Sequence, residues 1–256
     1  MKETGRRNTE LETDGLFIGR NAVAELLKSG RTVDRIYIQR EDTRGPLTPL
    51  RALAAEKGVP LIETDVRKLA AMSGGGVHQG VIAVAAETDY LTAEQLLENC
   101  EKAGEKPFFL ICDSVNDPHN LGALIRSANC AGMNGVIIPK RRSAGVNGTV
   151  AKSSAGAVFT MPIARVPNLA SCVRMLKEHG VWIWAAEAGG KPYYEQDFKC
   201  ACALILGSEG EGVSEILKKE SDFLAGIPMY GSINSLNVSA AGAIVMFEAA
   251  RQRNNG

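Results

Sequence analysis

Long apolar runs are missing from this chain of 256 residues, and none approaches the roughly 20 apolar residues that a membrane-spanning helix needs. The first 14 residues are polar and lack the apolar core of a signal peptide. They predict a disordered tail over residues 1–14. A dense cysteine framework is missing too, because the six cysteines are spread through apolar segments. We therefore expect reduced thiols, no membrane association and a cytoplasmic protein.

Metal-site spacing is also lacking. The three histidines, His78, His119 and His179, are scattered, and the close pair Cys200 and Cys202 has no further ligand nearby in the sequence. Solvated or structural roles are expected for these side chains, and no metal is expected. A GxGxxG turn after the first strand, followed by an acidic residue about 20 positions later, is absent as well. This absence excludes a dinucleotide-dependent oxidoreductase.

The net charge is zero, with 29 basic and 29 acidic residues, but the two signs are unevenly distributed. Residues 118–177 contain eight Lys or Arg and no Asp or Glu. Such a stretch can form a positive surface on a neutral protein, which is typical of proteins that bind a polyanion. A solvated charge run is the alternative explanation. The candidate nucleic-acid-binding residues are Lys140, Arg141, Arg142 and Lys152.

Alternating helix and strand patterns over residues 15–90 predict a small α/β module. Residues 91–106 are predicted to be a linker that contains a helix, because Thr92 and Gln95 have the spacing of a capping box. The polar sequence AGEKP at the end of this linker marks the expected domain boundary.

Residues 107–256 predict a second, larger α/β domain, because strand patterns alternate with helix patterns. Such alternation is typical of a parallel sheet with helices on both faces. One helix is expected over Leu121–Ala131, with Asn120 at its N-cap position. The expected strands are Phe108–Cys112, Gly135–Ile138, Val158–Ile163, Val181–Ala186, Ala203–Leu206 and Phe223–Ile227.

Two glycine-bearing loops follow the last two predicted strands. The first contains three glycines between Gly207 and Gly212, and the second spans Gly231–Asn237 and leads into an alanine-rich helix. Loops at the carboxyl edge of a parallel sheet form the crevice where ligands bind, and glycine lets the backbone approach a ligand closely. Glu209 and Glu211 in the first loop would repel a phosphate. The crevice is therefore expected to bind a cationic or zwitterionic ligand.

Arg126 is the candidate functional side chain on the helix that follows Asn120. It lies one turn beyond Gly122 and away from the apolar face, and a glycine beside the guanidinium leaves room for a ligand. The alternative is a capping Asn120 and a surface Arg126. Three polar residues precede the last helix, and any of them could simply cap it: Ser235, Asn237 and Ser239.

Three segments in this order resemble the motifs of the SpoU-type (TrmH-like) RNA ribose 2'-O-methyltransferases of the SPOUT superfamily. They are DPHNLGALIRSA, LILGSEGEGVSE and IPMYGSINSLNVSAAGAIVMFEAARQR, and the resemblance covers residues 107–253. In the first unit, GRNAVAELL and HQGVIA are similar to the ribosomal-protein-like RNA-binding module that precedes the catalytic domain in the ribosomal RNA members.

The resemblance implies an α/β fold whose last helix passes through a loop as a trefoil knot, and it implies a homodimer. It also implies S-adenosyl-L-methionine as the methyl donor. By match to the family's motifs, main-chain groups at Gly207, Ile227 and Leu236 would hold the adenosine part of this donor. The implied active-site residues are Asn120, Arg126, Glu209, Ser235 and Asn237.

Methyl transfer to a ribose hydroxyl needs an in-line approach to the sulfonium carbon and stabilisation of the developing alkoxide. The family's arginine is usually described as the general base. An arginine keeps its proton at neutral pH, so Arg126 is better suited to stabilise the oxyanion and hold the adjacent phosphate. Asn120 would orient Arg126 or the ribose, and Ser235 and Asn237 would shape the loop. Glu209 would position a partner group.

The expected function is methylation of a guanosine ribose in large-subunit ribosomal RNA, because the N-terminal module is typical of the ribosomal RNA members. Transfer RNA is the alternative substrate. A non-catalytic RNA-binding assembly factor is the alternative from another class, and the intact Asn120, Arg126 and Asn237 argue against it. Glu215 and Glu220 make the segment after the second motif acidic, so RNA is expected to bind the stretch 118–177 instead.

Overall fold

The computed structural model describes residues 15–40, 45–85 and 90–254. The chain forms two compact units, Met1–Glu87 and Thr88–Gly256. The expected disordered tail over residues 1–14 lies outside the described residues. No helix within the described ranges is long and apolar enough to cross a membrane.

The first unit is a small α/β module, as predicted. Its elements in chain order are β1 (Leu16–Ile18), α1 (Arg20–Lys28), β2 (Val33–Gln39), α2 (Thr48–Glu56), β3 (Leu61–Thr64), α3 (Val66–Met72) and β4 (Val81–Ala85). The strands form one sheet in the order β1-β4-β2-β3, in which β2 and β3 run parallel and the other two pairs run antiparallel. Helix α1 buries Val23 and Leu26 because its apolar residues recur at helical spacing on one face.

The second unit is built on a six-stranded sheet in the order β10-β8-β9-β5-β6-β7, and every pair of neighbours runs parallel. Strands β5 and β9 are buried along their whole length because helices cover both faces of such a sheet. The predicted parallel α/β fold is therefore confirmed. Its elements are α4 (Ala93–Ala103), β5 (Phe108–Cys112), α5 (Pro118–Cys130), β6 (Gly135–Pro139), α6 (Gly148–Ser153), β7 (Ile163–Val166), α7 (Leu169–Glu178), β8 (Trp182–Pro192), β9 (Cys202–Leu206), α8 (Glu215–Glu220), β10 (Phe223–Gly226) and α9 (Val238–Asn254).

Helix α4 occupies most of the predicted linker. Thr92 and Gln95 form the expected capping box, with bonds of 3.3 and 2.8 Å between each side chain and the other residue's backbone N–H. However, Leu96 and Cys100 are buried in the same hydrophobic core as β5 and α7. Helix α4 thus packs its apolar side into the second unit's core.

The prediction that Asn120 caps α5 was wrong. The helix begins earlier, at Pro118, and Asp117 is the N-cap, whose Oδ1 accepts a bond of 2.8 Å from the His119 N–H. Proline is favoured in the first helical turn because it has no N–H to leave unsatisfied. Asn120 therefore lies inside the helix, where its side chain is free to make other contacts.

The predicted strand Val158–Ile163 was also wrong. Asn147 caps the short helix α6 by accepting bonds from two backbone N–H groups. A 3-10 helix over Ala157–Phe159 follows Gly156, whose φ of 84° is in the left-handed region. Strand β7 begins only at Ile163, so the turn chemistry outweighed the apolar pattern.

Helix α9 packs back onto the centre of the unit. A side chain at Gly242 would lie 2.5 Å from Leu206 at the end of β9 and 2.6 Å from Leu124 of α5. Glycine at this position lets α9, α5 and β9 approach closely. The trefoil knot stays a prediction.

Candidate active site

A cavity of about 950 Å³ lies at the carboxyl ends of β8, β9 and β10. This is the edge at which open parallel sheets bind their ligands. Its lining includes Gly207, Ile227 and Leu236, the three predicted donor contacts. Glu209, Ser235 and Asn237, which were predicted as active-site residues, line it too.

Glycines allow the walls of this cavity to come together. A Cβ on Gly207 would lie 1.9 Å from the backbone of Gly212, and a Cβ on Gly226 would lie 2.5 Å from the carbonyl oxygen of Gly190. The loop after β9 closes on itself, because Ser208 and Gly212 exchange backbone hydrogen bonds of 3.2 and 3.0 Å. These glycines are therefore required by contacts between protein backbones, and not only by the approach of a ligand.

Three predicted site residues from distant parts of the sequence form one hydrogen-bond network. The Asn120 amide donates to Glu209 Oε1 at 3.1 Å. The Asn237 amide donates to Asn120 Oδ1 at 3.0 Å and also to Glu209 Oε1. The network joins α5, the loop after β9 and the start of α9, so each of the three motifs holds the other two in place.

Asn237 has a second task at the start of α9. Its Oδ1 accepts bonds from the Ser239 N–H at 2.9 Å and from the Ser239 hydroxyl at 2.5 Å. Asn237 therefore caps the last helix through its side-chain oxygen, while its amide nitrogen donates hydrogen bonds to Asn120 and Glu209. The capping interpretation of this residue is confirmed, and its role in the active site stays a prediction.

Arg126 is not part of this constellation. It is exposed on α5, it does not line the cavity, and it makes no hydrogen bond or ion pair with the described residues. The expected space beside Gly122 is also filled, since a Cβ there would lie 1.9 Å from the Ser153 hydroxyl. Gly122 thus allows α6 to pack against α5, and this prediction of a ligand space was wrong.

The cavity is acidic. Glu187, Glu209 and Glu211 line it, and none of the lining residues in the described chain is Lys, Arg or His. Lys218 Nζ lies 2.9 Å from Glu187 Oε1, and this hydrogen bond raises the pKa of Lys218. A phosphate would be repelled by such a lining, so a cationic or zwitterionic ligand fits it best.

Glu187 and Asp113 are site residues that the sequence did not indicate. Buried Asp113, just after β5, accepts a bond of 2.8 Å from the Ser214 N–H and one of 3.2 Å from the Ser114 hydroxyl. It fixes the far end of the loop that follows β9. Asp113 and Ser214 are 101 positions apart, so only the place of Asp113 directly after β5 could have drawn attention to it.

The basic residues lie on the other half of the same sheet edge. Lys140, Arg141, Arg142 and Lys152 are all exposed at the loop after β6 and on α6. Two contacts fix this loop: the Ala144 N–H donates to the Val115 carbonyl at 3.0 Å, and the Val146 N–H donates to the Tyr90 hydroxyl at 2.9 Å. Because Val115 lies in the loop that precedes α5, the basic loop is held beside the helix that carries Asn120. Their binding of RNA stays a prediction.

The cysteines are unpaired, and several are deeply buried. Burial raises the pKa of Cys112, Cys172 and Cys202 to about 12, so these thiols are uncharged at neutral pH and unsuited to bind a metal. Over the described residues, no group of three or more His, Cys, Asp or Glu could hold a metal ion.

Comparison with known protein sequences gives two matching families. Residues 107–247 match the SpoU rRNA Methylase family, and residues 16–91 match the family described as RNA 2'-O ribose methyltransferase substrate binding. The TrmH-family protein YacO of Bacillus subtilis is 40% identical over 238 residues, which are 93% of this chain and 95% of YacO. The 23S rRNA (guanosine-2'-O-)-methyltransferase RlmB of Ralstonia nicotianae is 42% identical over 241 residues, with 93% and 96% of the two chains covered.

A solved structure shares this architecture over almost the whole chain. The AdoMet-bound rRNA methyltransferase from Sinorhizobium meliloti matches with a TM-score of 0.74 at 25% identity, covering 93% of this chain and 87% of the other. The family match, the full-length relatives and the shared fold agree with the three motifs that meet at the acidic cavity. The chain is thus a member of the SpoU (TrmH) family of RNA methyltransferases.

Proposed function

We propose that this protein transfers a methyl group from S-adenosyl-L-methionine to the 2'-hydroxyl of a guanosine ribose in large-subunit ribosomal RNA. The observation that carries the proposal is the network of Asn120, Glu209 and Asn237, which joins an acidic cavity to the helix beside a basic loop. The name of the Ralstonia relative specifies guanosine 2'-O-methylation of 23S rRNA, and the match to the substrate-binding family supports an RNA substrate.

The cavity fits the proposed donor by charge. S-adenosyl-L-methionine carries a positive sulfonium and no phosphate, and the lining carries three carboxylates. When bound, the donor supplies an activated methyl group. The backbone at Gly207, Ile227 and Leu236 would hold its adenosine part, as the family motifs imply, and the solved Sinorhizobium relative is AdoMet-bound.

The network residues have positioning tasks in this proposal. Glu209 Oε1 accepts hydrogen bonds from both amides, so it is occupied as an orienting group and is poorly placed to act as a base. Asn120 and Asn237 would set the acceptor ribose against the donor loops, since a small displacement from an in-line approach costs much of the rate. Ser235 would shape the loop between Ile227 and α9.

Arg126 would stabilise the alkoxide that forms on the ribose and hold the neighbouring phosphate, because a guanidinium presents fixed donors and stays charged. Its exposure, away from the cavity of its own chain, supports a homodimer in which Arg126 completes the site of the partner subunit. Phe247 on α9 is an apolar side chain with 49% exposure, which such an interface would bury.

The RNA would bind across Lys140, Arg141, Arg142 and Lys152, with the first unit as an additional RNA-binding module. Exposed basic side chains of this kind bind phosphates without reading sequence. The six unpaired cysteines suit a reducing compartment such as the cytoplasm.

Two measurements test the proposed function. Calorimetry on the purified protein should detect binding of S-adenosyl-L-methionine. If no binding of this donor is detected, either with or without RNA, the proposal loses its basis. Labelled methyl groups should then appear on a guanosine 2'-hydroxyl of 23S rRNA and not on transfer RNA. Transfer to transfer RNA alone would establish the alternative substrate, and RNA binding without any transfer would establish a non-catalytic assembly factor.

Mixing two inactive variants tests the shared site. If Arg126 acts on the partner's cavity, a heterodimer of Arg126→Ala and Asn237→Ala subunits contains one site with both changes and one with neither. Activity should therefore return after the two proteins are mixed and exchanged. If Arg126 acts within its own chain, each site keeps one change and the mixture stays inactive.

A further inference from the structure

The end of β8 makes an excursion into the cavity. In the pairing of β8 with β10, Ala185 pairs with Leu224 but the next residue of β10, Ala225, pairs with Lys191. The five residues from Ala186 to Gly190 bulge out between these pairs, and all five line the cavity. Bulges of this kind redirect side chains at functional sites. The side chain that this bulge carries into the cavity is Glu187.

Glu187 is held in place by one of its two carboxylate oxygens. Oε1 pairs with Lys218 Nζ at 2.9 Å, and the side chains of both residues are largely buried, at 24% and 19% exposure. Oε2 faces the opposite wall, 3.3 Å from where a Cβ would stand on Gly212. This oxygen accepts no hydrogen bond from the described residues. Glu187 Oε2 is therefore a hydrogen-bond acceptor that is held in a fixed orientation across the cavity and can accept a bond from a ligand.

The charge balance indicates which group this acceptor suits. Lys218 already neutralises Glu187, since its second partner, Glu215, is 78% exposed and weakly coupled through solvent. Glu209 and Glu211 have no such cationic partner among the described residues, so they remain for the positive end of a ligand. A neutralised carboxylate best accepts hydrogen bonds from neutral hydroxyls. Acidic side chains bind a ribose in this way at the edges of other parallel sheets.

On this basis we infer that Glu187 recognises the ribose hydroxyls of the donor's adenosine. The inference rests on the proposed donor site and adds a specificity-determining side chain to contacts that are otherwise made by the backbone. Glu187 accepts a charge-assisted hydrogen bond from the vicinal hydroxyls through Oε2. Lys218 is a positioning residue that fixes Glu187 and leaves that oxygen free.

The test compares two ligands on wild-type protein and on Glu187→Ala by calorimetry. One ligand is S-adenosylhomocysteine, and the other is its analogue without the two ribose hydroxyls. Wild-type protein should bind the first about 10- to 100-fold more tightly, which is the range for a hydrogen bond to a charged group. Glu187→Ala should bind S-adenosylhomocysteine more weakly by that factor and the analogue almost unchanged. Glu187→Gln keeps an acceptor oxygen and should recover part of the loss.

Glu215→Ala is the matched control, because it removes the other partner of Lys218 and should leave both affinities unchanged. Thermal unfolding of each variant checks that it folds. Equal losses for the two ligands in Glu187→Ala would mean that Glu187 recognises another part of the molecule, and no loss would mean that it recognises none. Either result overturns the inference. A wild-type protein that binds neither ligand would overturn the donor site itself, which is a different failure.

Discussion

The two halves of the carboxyl edge of the second unit's sheet carry opposite charges. The ends of β8, β9 and β10 surround a cavity with Glu187, Glu209 and Glu211, whereas the residues after β6 expose Lys140, Arg141 and Arg142. Strand β5 lies between the two halves, and Asn120 on the helix after it bonds directly to the acidic side. One edge of one sheet thus separates a region suited to a cation from a region suited to a polyanion.

A net charge of zero can therefore hide two regions of opposite charge on one protein. A donor with a positive sulfonium and an acceptor with a phosphate backbone require opposite fields within one site. The two fields lie on either side of β5, and in the proposed function the reacting groups would meet at their border. Substitutions in the basic half should change RNA affinity, and substitutions in the acidic half should change donor affinity. Substitution of the residue proposed to act between them should change the methylation rate.

The largest effect is expected from Arg126, which is proposed to complete the site where the two fields meet. Arg126→Ala should lower the methylation rate about 10²- to 10³-fold, because it removes a charged donor to the developing alkoxide, and it should leave donor affinity nearly unchanged. Single-turnover methyl transfer and calorimetry measure the two quantities. Cys130→Ala, which is exposed on the same helix, is the control. Wild-type turnover in Arg126→Ala would refute its role.

The next effect concerns the first unit. Removing residues 1–87 leaves Tyr90, whose hydroxyl fixes the basic loop, and should lower RNA affinity about 100-fold, as expected when one of two linked binding modules is lost. Donor affinity should change little. Filter binding with ribosomal RNA fragments measures the loss. If the shortened protein methylates folded ribosomal RNA as well as the whole chain, the basic half of the sheet edge suffices for substrate binding.

A smaller effect is expected from neutralising the basic half. Changing Lys140, Arg141 and Arg142 together to alanine should lower RNA affinity about 10-fold and reduce the salt dependence of binding, the slope of log K against log salt, by about 2 to 3. Donor affinity should not move. Lys102→Ala is the control, because that lysine is exposed and paired with Glu98 on α4. An unchanged slope would show that these residues do not contact phosphates.

The smallest effect is expected from the acidic half. Glu209→Gln keeps an acceptor for Asn120 and Asn237 but removes one negative charge, which should weaken binding of S-adenosyl-L-methionine about 3- to 10-fold at low salt. RNA affinity should stay the same or rise slightly. Glu98→Gln, on α4, provides the comparison. If Glu209→Gln binds S-adenosyl-L-methionine as tightly as the wild-type protein does, the negative charge of the cavity does not select the cationic donor.

The fold could be predicted because its signals are local, whereas Asn120, Glu209 and Asn237 were predicted as site residues only by their resemblance to the family's motifs. Buried strands are continuous apolar runs in the sequence, and glycine and polar residues predict the loops after β9 and before α9. The active-site role of Asn120 stays a prediction, and its placement as an N-cap was wrong, since Asp117 and Pro118 start the helix earlier.

The remaining features depend on contacts between distant parts of the chain. Gly122 has the same sequence signature whether a ligand or Ser153 fills the space beside it, and only the packing of α6 decides between them. The importance of Glu187 follows from a bulge in the pairing of β8 with β10, and that of Asp113 from a bond to Ser214. No local pattern encodes a register shift or a partner 101 positions away.

The double task of Asn237 links access to the cavity with the integrity of the final helix. The segment Asn234–Val238 forms one wall, and Asn237 ties it to Asn120, to Glu209 and to the first N–H groups of α9. Losing such a cap costs about 1 kcal/mol, apart from the network bonds. Any outward movement of this wall would therefore cost the cap of α9 as well as the network bonds.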